Sequence, residues 1–112
     1  MAKAENQIHF LGEIGQKAFI VKDNKVLMVQ GTGEKYWDFP GGRLNEGEEI
    51  EKGLLRELEE ELNITEAKVG RPFFAEVYNI SKPPKFLLIY RVTLTNPDQE
   101  FTLPPEELSG FR

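Results

Sequence analysis

The chain has 112 residues, a formal net charge of −5, 39% hydrophobic residues and 29% charged residues, which indicates one globular domain over residues 1–112. It contains no cysteine and a single histidine, so disulfides, zinc–thiolate sites and thiol nucleophiles are excluded, and any bound metal must be held by oxygen. No apolar run approaches about 18 residues, and the N-terminus lacks a signal-peptide core. We therefore expect no membrane segment and a cytoplasmic location.

The N-terminal quarter predicts a hairpin. Two apolar strands over residues 18–22 and 26–30 flank the turn signal Asp23-Asn24, and their near-continuous apolar character favours a sheet covered on both faces. The preceding segment, residues 8–11, could form a further short strand. Its histidine, His9, is interpreted as a surface or packing residue and not as a catalytic one.

Residues 36–39 predict a short strand that stops at Pro40, because proline cannot extend a β-ladder. Trp37 and Phe39 are two residues apart and would point to the same side of such a strand. Both are candidate substrate-binding residues, as is Arg43, although aromatic residues more often belong to a core.

A tight glycine turn at Gly41 and Gly42 leads into an acidic amphipathic helix over about residues 48–62. Asn63 is a candidate left-handed residue at the helix C-terminus. Gly53 lies inside the helix, where glycine costs about 0.8–1 kcal/mol relative to alanine, so a close neighbour is expected there. Apolar residues at helical spacing define the buried stripe: Ile50, Leu54, Leu55, Leu58 and Leu62.

Three glutamates of this helix, Glu57, Glu60 and Glu61, have the i, i+3, i+4 spacing that places carboxylates on one face. Acids in the last helical turn oppose the helix dipole and cost about 0.3–1 kcal/mol each. A solvated surface is the usual interpretation of an acidic helix, but the glycine turn in front of these acids favours a site for Mg²⁺ or Mn²⁺. Nine of the sixteen glutamates lie between residues 46 and 66, so extended nucleic acid is not an expected partner.

The C-terminal half predicts a long strand over residues 65–78, interrupted at 70–72, and another over 85–95. The tail, residues 96–112, contains three prolines and is expected to be irregular, with one helical turn opening at Glu106 and Glu107. Tyr78 and Tyr90 are further aromatic residues that could stack on a base. One long helix with about six strands predicts a mixed α/β sheet.

The helix and its turn resemble the Nudix box of the MutT-type hydrolases, G-x5-E-x7-R-E-U-x-E-E-x-G-U, where U is a bulky aliphatic residue. Asn63 replaces the last glycine of the motif and tolerates the same backbone conformation. The resemblance implies a Nudix-type α/β/α sandwich with a mixed β-sheet, in which the C-terminal helix is missing or shortened after Arg112. The matching positions are Gly42, Glu48, Arg56-Glu57-Leu58, Glu60-Glu61 and Ile64.

The resemblance also implies a hydrolase that cleaves a nucleoside diphosphate linked to another moiety, with a nucleoside triphosphate or modified nucleotide as the default substrate and pyrophosphate as a product. Glu57 would orient or deprotonate the attacking water, with Glu60 as a second catalytic carboxylate. Arg56 and Glu48 would form a supporting pair, and a further glutamate would come from the C-terminal loop, with Glu107 as first candidate and Glu106 as alternate. The implied ligands of Mg²⁺ or Mn²⁺ are the Gly41 carbonyl and the carboxylates of Glu57, Glu60 and Glu61.

Two other functional classes remain open. The short C-terminus supports a catalytically weak Nudix-like module that binds nucleotides or regulates. A structural domain with an acidic surface helix would explain the acids but not the glycine turn. Because the sequence stops before the second helix of the family, we expect a shortened member, a fragment, or a chain whose open sheet face is covered by a partner, as in a homodimer formed by docking or swapping.

Overall fold

The computed structural model describes residues 8–31 and 35–100, together with the backbone of residues 107–111. The elements are β1 Glu13–Lys22, β2 Lys25–Gly31, β3 Gly41–Arg43, α1 Ile50–Leu62, β4 Ala67–Tyr78, β5 Lys85–Leu94 and β6 Glu107–Phe111. The strands form one mixed six-stranded sheet in the order β4-β5-β1-β2-β6, with β3 paired to β1. This confirms the predicted mixed α/β sheet with one long helix.

The predicted hairpin is confirmed as β1 and β2, with Val21 opposite Val26. Its turn residues Asp23 and Asn24 have φ angles of 53° and 62°, which these two residue types tolerate in a two-residue hairpin turn. Val21 remains 50% exposed. Within the part of the chain that the structure describes, this end of the second face is therefore partly open, and cover on both faces stays a prediction.

Strand β1 occupies the centre of the sheet. One of its edges runs parallel to β5, and the other pairs with β3 near its start and with β2 at its end. Gly41 of β3 has a φ angle of 149°, and a Cβ there would overlap the Gln16 carbonyl oxygen of β1. Only glycine allows β3 to approach β1 this closely.

The core lies between α1 and one face of β1 and β5. Leu54, Leu58 and Leu62 are fully buried, each contributing about 1.5–3 kcal/mol through burial. Ile50 was predicted to belong to this stripe but is 39% exposed, because it is the first residue of the helix and extends past the sheet. The strand residues that meet the leucines are Ala18, Ile20, Tyr90, Val92 and Leu94.

The end of α1 follows its sequence closely. Asn63 has φ 56° and ψ 30°, the predicted left-handed conformation, and its N–H donates to the Glu59 carbonyl at 2.9 Å. The predicted interruption of β4 at residues 70–72 is also confirmed, since its pairing with β5 shifts register on both sides of Pro72. Proline has no N–H to donate to the ladder, which favours a bulge at this position.

Three predicted elements differ. Residues 36–39 form only an isolated bridge between Asp38 and Val29, and the strand follows Pro40 as β3. No strand forms at residues 8–11, because the ladder with β5 begins at Glu13. Residues 107–111 form β6 against β2 and not a helical turn, since the open edge of β2 supplies hydrogen bonds that the tail's composition does not reveal. Glu106 lies outside the described residues.

Over the segments that the structure describes, no helix is long and apolar enough to span a membrane.

Candidate active site

The site begins where β3 passes under α1. Gly42 has no side chain, and the Glu57 carboxylate fills the space above it: a Cβ on Gly42 would lie 2.5 Å from the Glu57 Cδ. Any larger residue at position 42 would have to displace that carboxylate. The Glu57 side chain is 16% exposed, so its carboxylate is mostly shielded but still in contact with solvent.

Arg56 connects the acids of α1 to the loop before the helix. Its guanidinium donates to Glu48 at 2.6 and 3.0 Å, to Glu57 at 2.9 Å and to Glu60 at 3.2 Å. A further N–H donates to the Arg43 carbonyl oxygen at 3.3 Å. A planar guanidinium with five donors suits such a fixed set of partners. The predicted supporting pair of Arg56 and Glu48 is therefore present.

Glu48 is held from both sides. Its carboxylate accepts the Arg56 bonds and also accepts the Asn45 backbone N–H at 2.9 Å. The hydrogen bond from Arg56, followed by that from Asn45, lowers the pKa of Glu48 below its ordinary value, and the same contact with Glu48 raises the pKa of Arg56. Both groups thus remain charged at neutral pH and fix the loop to the helix.

The other two predicted ligands, Glu60 and Glu61, lie one turn further along α1. The Glu60 carboxylate is 60% exposed and bonds Arg56. Within the described residues, no three acidic or histidine side chains are gathered closely enough to hold a metal ion, because Arg56 draws two of the carboxylates to itself. The carboxylate and carbonyl oxygens of this region nevertheless suit a hard cation that prefers oxygen.

The candidate substrate-binding residues are dispersed. Arg43 forms an ion pair with Glu13 at 3.0 Å, and Trp37 is half-buried. Phe39 packs edge-on against Phe19 at a centroid distance of 5.7 Å. Since Phe19 alternates with the buried residues of β1, Phe39 lies on the sheet face opposite α1. Phe39 is therefore not brought together with Glu57.

The C-terminal candidate, Glu107, is the first residue of β6 and pairs with Gly31 at the end of β2. Of the two tyrosines, Tyr90 belongs to the core at 6% exposure, and burial raises its pKa, whereas Tyr78 is 38% exposed on β4. Burial removes Tyr90 from the candidates for base stacking.

An open pocket of about 350 Å³ lies beside this network. One wall is the start of β1, including Glu13, and the other is the loop between β3 and α1, including Asn45 and Glu48. The carboxylates of these walls suit a cation or a cation-bridged ligand.

Sequence reasoning missed two features of this region. Gln16 of β1 is fully buried under α1, and the signal for it was a polar residue in phase with Ala18 and Ile20. Arg91 lies over the rings of Phe19 and Phe73 at 5.9 and 5.6 Å. That grouping joins three strands and could not be found from spacing along the chain.

Three features together define a Nudix-type domain. They are the mixed sheet, the helix whose glutamates are hydrogen-bonded by Arg56, and the Glu57 carboxylate packed against Gly42. A NUDIX domain family profile matches residues 15–112. The chain belongs to the NUDIX family.

Individual relatives agree with this assignment. The chain is 37% identical over 67 residues to the RNA pyrophosphohydrolase of Actinobacillus pleuropneumoniae serotype 5b (strain L20), covering 60% of this chain and 32% of that protein. It is 39% identical over 49 residues to the 8-oxo-dGTP diphosphatase of Buchnera aphidicola subsp. Schizaphis graminum (strain Sg), covering 40% and 38%. The crystal structure of a UDP-X diphosphatase matches with a TM-score of 0.76 and 25% identity, over 96% of this chain and 53% of that one. The matched segments thus span about a third of the length of these curated relatives.

Proposed function

We propose that this chain hydrolyses a phosphoanhydride bond in a nucleoside diphosphate linked to another moiety, with Mg²⁺ or Mn²⁺ as cofactor. The observation that supports this proposal most strongly is that the Glu57 carboxylate packs against Gly42 and accepts a hydrogen bond from Arg56. A general base needs a fixed position within reach of the proton that it accepts. Gly42 provides the space for the Glu57 carboxylate, and the hydrogen bond from Arg56 fixes its orientation.

In the reaction, Glu57 orients a water molecule and accepts one of its protons as the water oxygen attacks phosphorus. The bond from phosphorus to the bridging oxygen breaks, and that oxygen leaves with the bonding electron pair on the departing phosphate. Arg56, fixed by Glu48, keeps the Glu57 carboxylate oriented. Glu60, the other acid on Arg56, is the second catalytic carboxylate of the proposal.

The cation would be held by the carboxylates of Glu57, Glu60 and Glu61 and by the Gly41 carbonyl. When bound, it would neutralise phosphate oxygens and lower the pKa of water. Glu60 is mostly exposed, so its side chain can turn from Arg56 toward a cation at little cost in packing. Glu107 stays a proposed further acid at the edge where β2 meets β6.

We take a nucleoside triphosphate or modified nucleotide as the default substrate, with pyrophosphate as a product. The names of two relatives, RNA pyrophosphohydrolase and 8-oxo-dGTP diphosphatase, support a nucleotide phosphoanhydride as the bond cleaved. Trp37 is the proposed base-stacking residue and Arg43 the proposed phosphate contact, whereas Phe39 lies on the sheet face away from Glu57. The acidic surface around α1 disfavours extended nucleic acid.

The test is a panel of nucleoside triphosphates, modified nucleotides and dinucleotides, incubated with Mg²⁺ or Mn²⁺, with both products identified. Glu57→Gln keeps the size of the side chain and removes the base, and we expect turnover to fall by about 10²- to 10⁴-fold. Glu59→Gln is the matched control, since Glu59 is exposed on the same helix and makes no ion pair with any described residue. Retained turnover in Glu57→Gln would refute the proposal.

A second candidate function is a nucleotide-binding or regulatory module without turnover. The observation that favours it is that Arg56 binds both Glu57 and Glu60, which neutralises acids that a cation would need. Calorimetric titration with Mg²⁺ distinguishes the two. Cation binding that disappears in Glu57→Gln supports the hydrolase, whereas nucleotide binding without cation binding or product supports the module.

A further inference from the structure

The side chain of Gln16, near the middle of β1, is buried although its amide is polar. It is 0% exposed, and neither its Nε2 nor its Oε1 has a hydrogen-bond partner among the described residues. A buried amide without partners loses its bonds to water and gains nothing in return. An apolar residue of the same size would be more stable there, so this amide requires a specific explanation.

The amide lies under Gly53 of α1. A Cβ on Gly53 would lie 2.8 Å from the Gln16 Nε2 and 2.8 Å from the Glu48 Oε1. The Gln16 Nε2 and the Glu48 Oε1 are therefore separated by no more than about 5.6 Å, which is twice 2.8 Å. A single water molecule with two ordinary hydrogen bonds spans such a gap. A side chain at position 53 would collide with both groups and with the Leu44 Cδ1 at 2.7 Å. Only glycine therefore lets the amide and the carboxylate come this close, which also explains the costly helix glycine.

Gln16 is connected to both halves of the candidate active site. Its strand neighbour in the pairing of β1 with β3 is Gly42, on which the Glu57 carboxylate rests. Across the gap is Glu48, whose carboxylate binds Arg56, and Arg56 in turn binds Glu57. Residues opposite each other in an antiparallel pair point to the same face, so the Gln16 amide and the Glu57 carboxylate share one side of the sheet.

We propose that Gln16 is a positioning residue whose amide donates to the Glu48 carboxylate through one enclosed water molecule. This link fastens the Glu48–Arg56 pair, and through it Glu57, to the central strand. The enclosed water would satisfy an amide that is otherwise unpaired, as buried waters in polar sites commonly do. The link itself is a property of the chain alone, and only its effect on turnover rests on the proposed function.

The decisive experiment uses the ligand-free protein and the exchange of the Arg56 Nε–H proton with water, measured by NMR. Gln16→Met is nearly isosteric and removes the amide. We expect exchange about tenfold faster, because the guanidinium loses part of its restraint, while the melting temperature is unchanged or higher. A loss of restraint without a loss of stability cannot come from poorer packing. Unchanged exchange would overturn the proposal.

Gln16→Glu is the second variant and covers the case in which Gln16→Met fails to fold. Above the pH at which this buried carboxyl ionises, it would repel Glu48 across the same gap. The Arg56 proton should then again exchange faster, here with a lower melting temperature. Exchange as slow as in the wild type would contradict a link between these two positions.

Gln99→Met is the matched control. The Gln99 amide is satisfied, since it accepts the N–H groups of Thr65 and Glu66 at 3.1 and 3.2 Å and donates to the Glu66 carbonyl at 2.8 Å. Its loss should lower the melting temperature and leave the Arg56 exchange unchanged.

With an active substrate, Gln16→Met should lower kcat about tenfold with KM near that of the wild type, because a displaced base affects chemistry more than binding. If the wild type turns over no substrate, the proposed function fails, while the exchange experiment still decides the role of Gln16.

Discussion

On the α1 side of the sheet, Ala18 and Ile20 of β1 are fully buried, whereas on the opposite side Val21 of the same strand is 50% exposed and Phe73 of β4 is also 50% exposed. Both sides are apolar, so hydrophobicity does not distinguish them. The difference is that α1 supplies both a leucine stripe and a charged network to the first face. That face thus carries both the helix core and the candidate active site. On the second face, Phe19 contacts the side chains of Phe39, Phe73 and Arg91.

The largest expected effect on stability is on the α1 face. Leu58→Ala removes a fully buried side chain from the centre of the stripe and should lower the free energy of unfolding by about 2–5 kcal/mol, measured by urea denaturation. The control is Leu11→Ala, because Leu11 is 82% exposed and its loss should stay within about 0.5 kcal/mol. Equal losses at the two positions would show that α1 does not form the core.

A pair of glycines compares the two faces directly. A Cβ on Gly42, on the α1 face, meets the Glu57 carboxylate at 2.5 Å, whereas a Cβ on Gly15 of β1 meets only side-chain atoms of Leu87 and Lys85 at 3.4 Å. Gly42→Ala should therefore move Glu57 and lower turnover by about tenfold to a hundredfold, with little loss of stability because the displaced group ends a flexible side chain. Gly15→Ala should leave turnover unchanged. Similar turnover in both variants would contradict the packing of the Glu57 carboxylate against Gly42.

The pair of Glu48 and Arg56 should make the stability of the protein depend on pH, with a smaller effect than the substitutions above. The pKa of Glu48 is lowered from 4.5 in the folded chain, chiefly by Arg56, so its stabilising contribution is present above the unfolded pKa and is lost as the pH falls through the folded pKa. We expect the melting temperature of the wild type to exceed that of Glu48→Gln at pH 7 and the difference to shrink below about pH 4.5. Glu59→Gln should show no such convergence, and a constant difference for Glu48→Gln would contradict the pairing.

The fold could be predicted wherever local chemistry determines it. The leucine spacing of α1, the asparagine at its C-terminus and the Asp23-Asn24 turn all follow from short-range rules, and the structure confirms them. The errors occurred where a distant strand decides the outcome. Gly41 and Gly42 have the composition of a turn but pair with β1, and residues 107–111 pair with the free edge of β2.

In the candidate site, too, the sequence predicted some contacts and not others. The pairing of Arg56 with Glu48 was expected from the resemblance to the Nudix box, and it is present. The gathering of Glu57, Glu60 and Glu61 remains a prediction, since helical spacing places carboxylates on one face but does not say that Arg56 will attract two of them. The phase of Gln16 with Ala18 and Ile20 indicates that it is buried, but its position beside Gly53 and Glu48 could not be found from spacing, because those residues belong to other elements.

The smallest expected effect on stability is on the open face. Phe73 packs edge-on against Phe19 at 5.3 Å and is half exposed. In dilute protein, Phe73→Ser should therefore remove a ring contact worth about 0.5–1.5 kcal/mol, in addition to the burial of half a phenyl ring. We propose that a second copy of the chain covers this face. Sedimentation should then show a dimer for the wild type, and Phe73→Ser should shift it toward the monomer at equal concentration.

Exposed Ile80, in the loop between β4 and β5, supplies the matched control, because it is 94% exposed and equally apolar but contacts none of these rings. Ile80→Ser should leave the association unchanged. A wild type that is monomeric at all concentrations would refute the dimer, and dissociation caused equally by both variants would assign it to nonspecific apolar contact. If only Phe73→Ser dissociates the dimer, the open face is covered by a second copy of the chain, whereas the α1 face is covered by the chain's own helix.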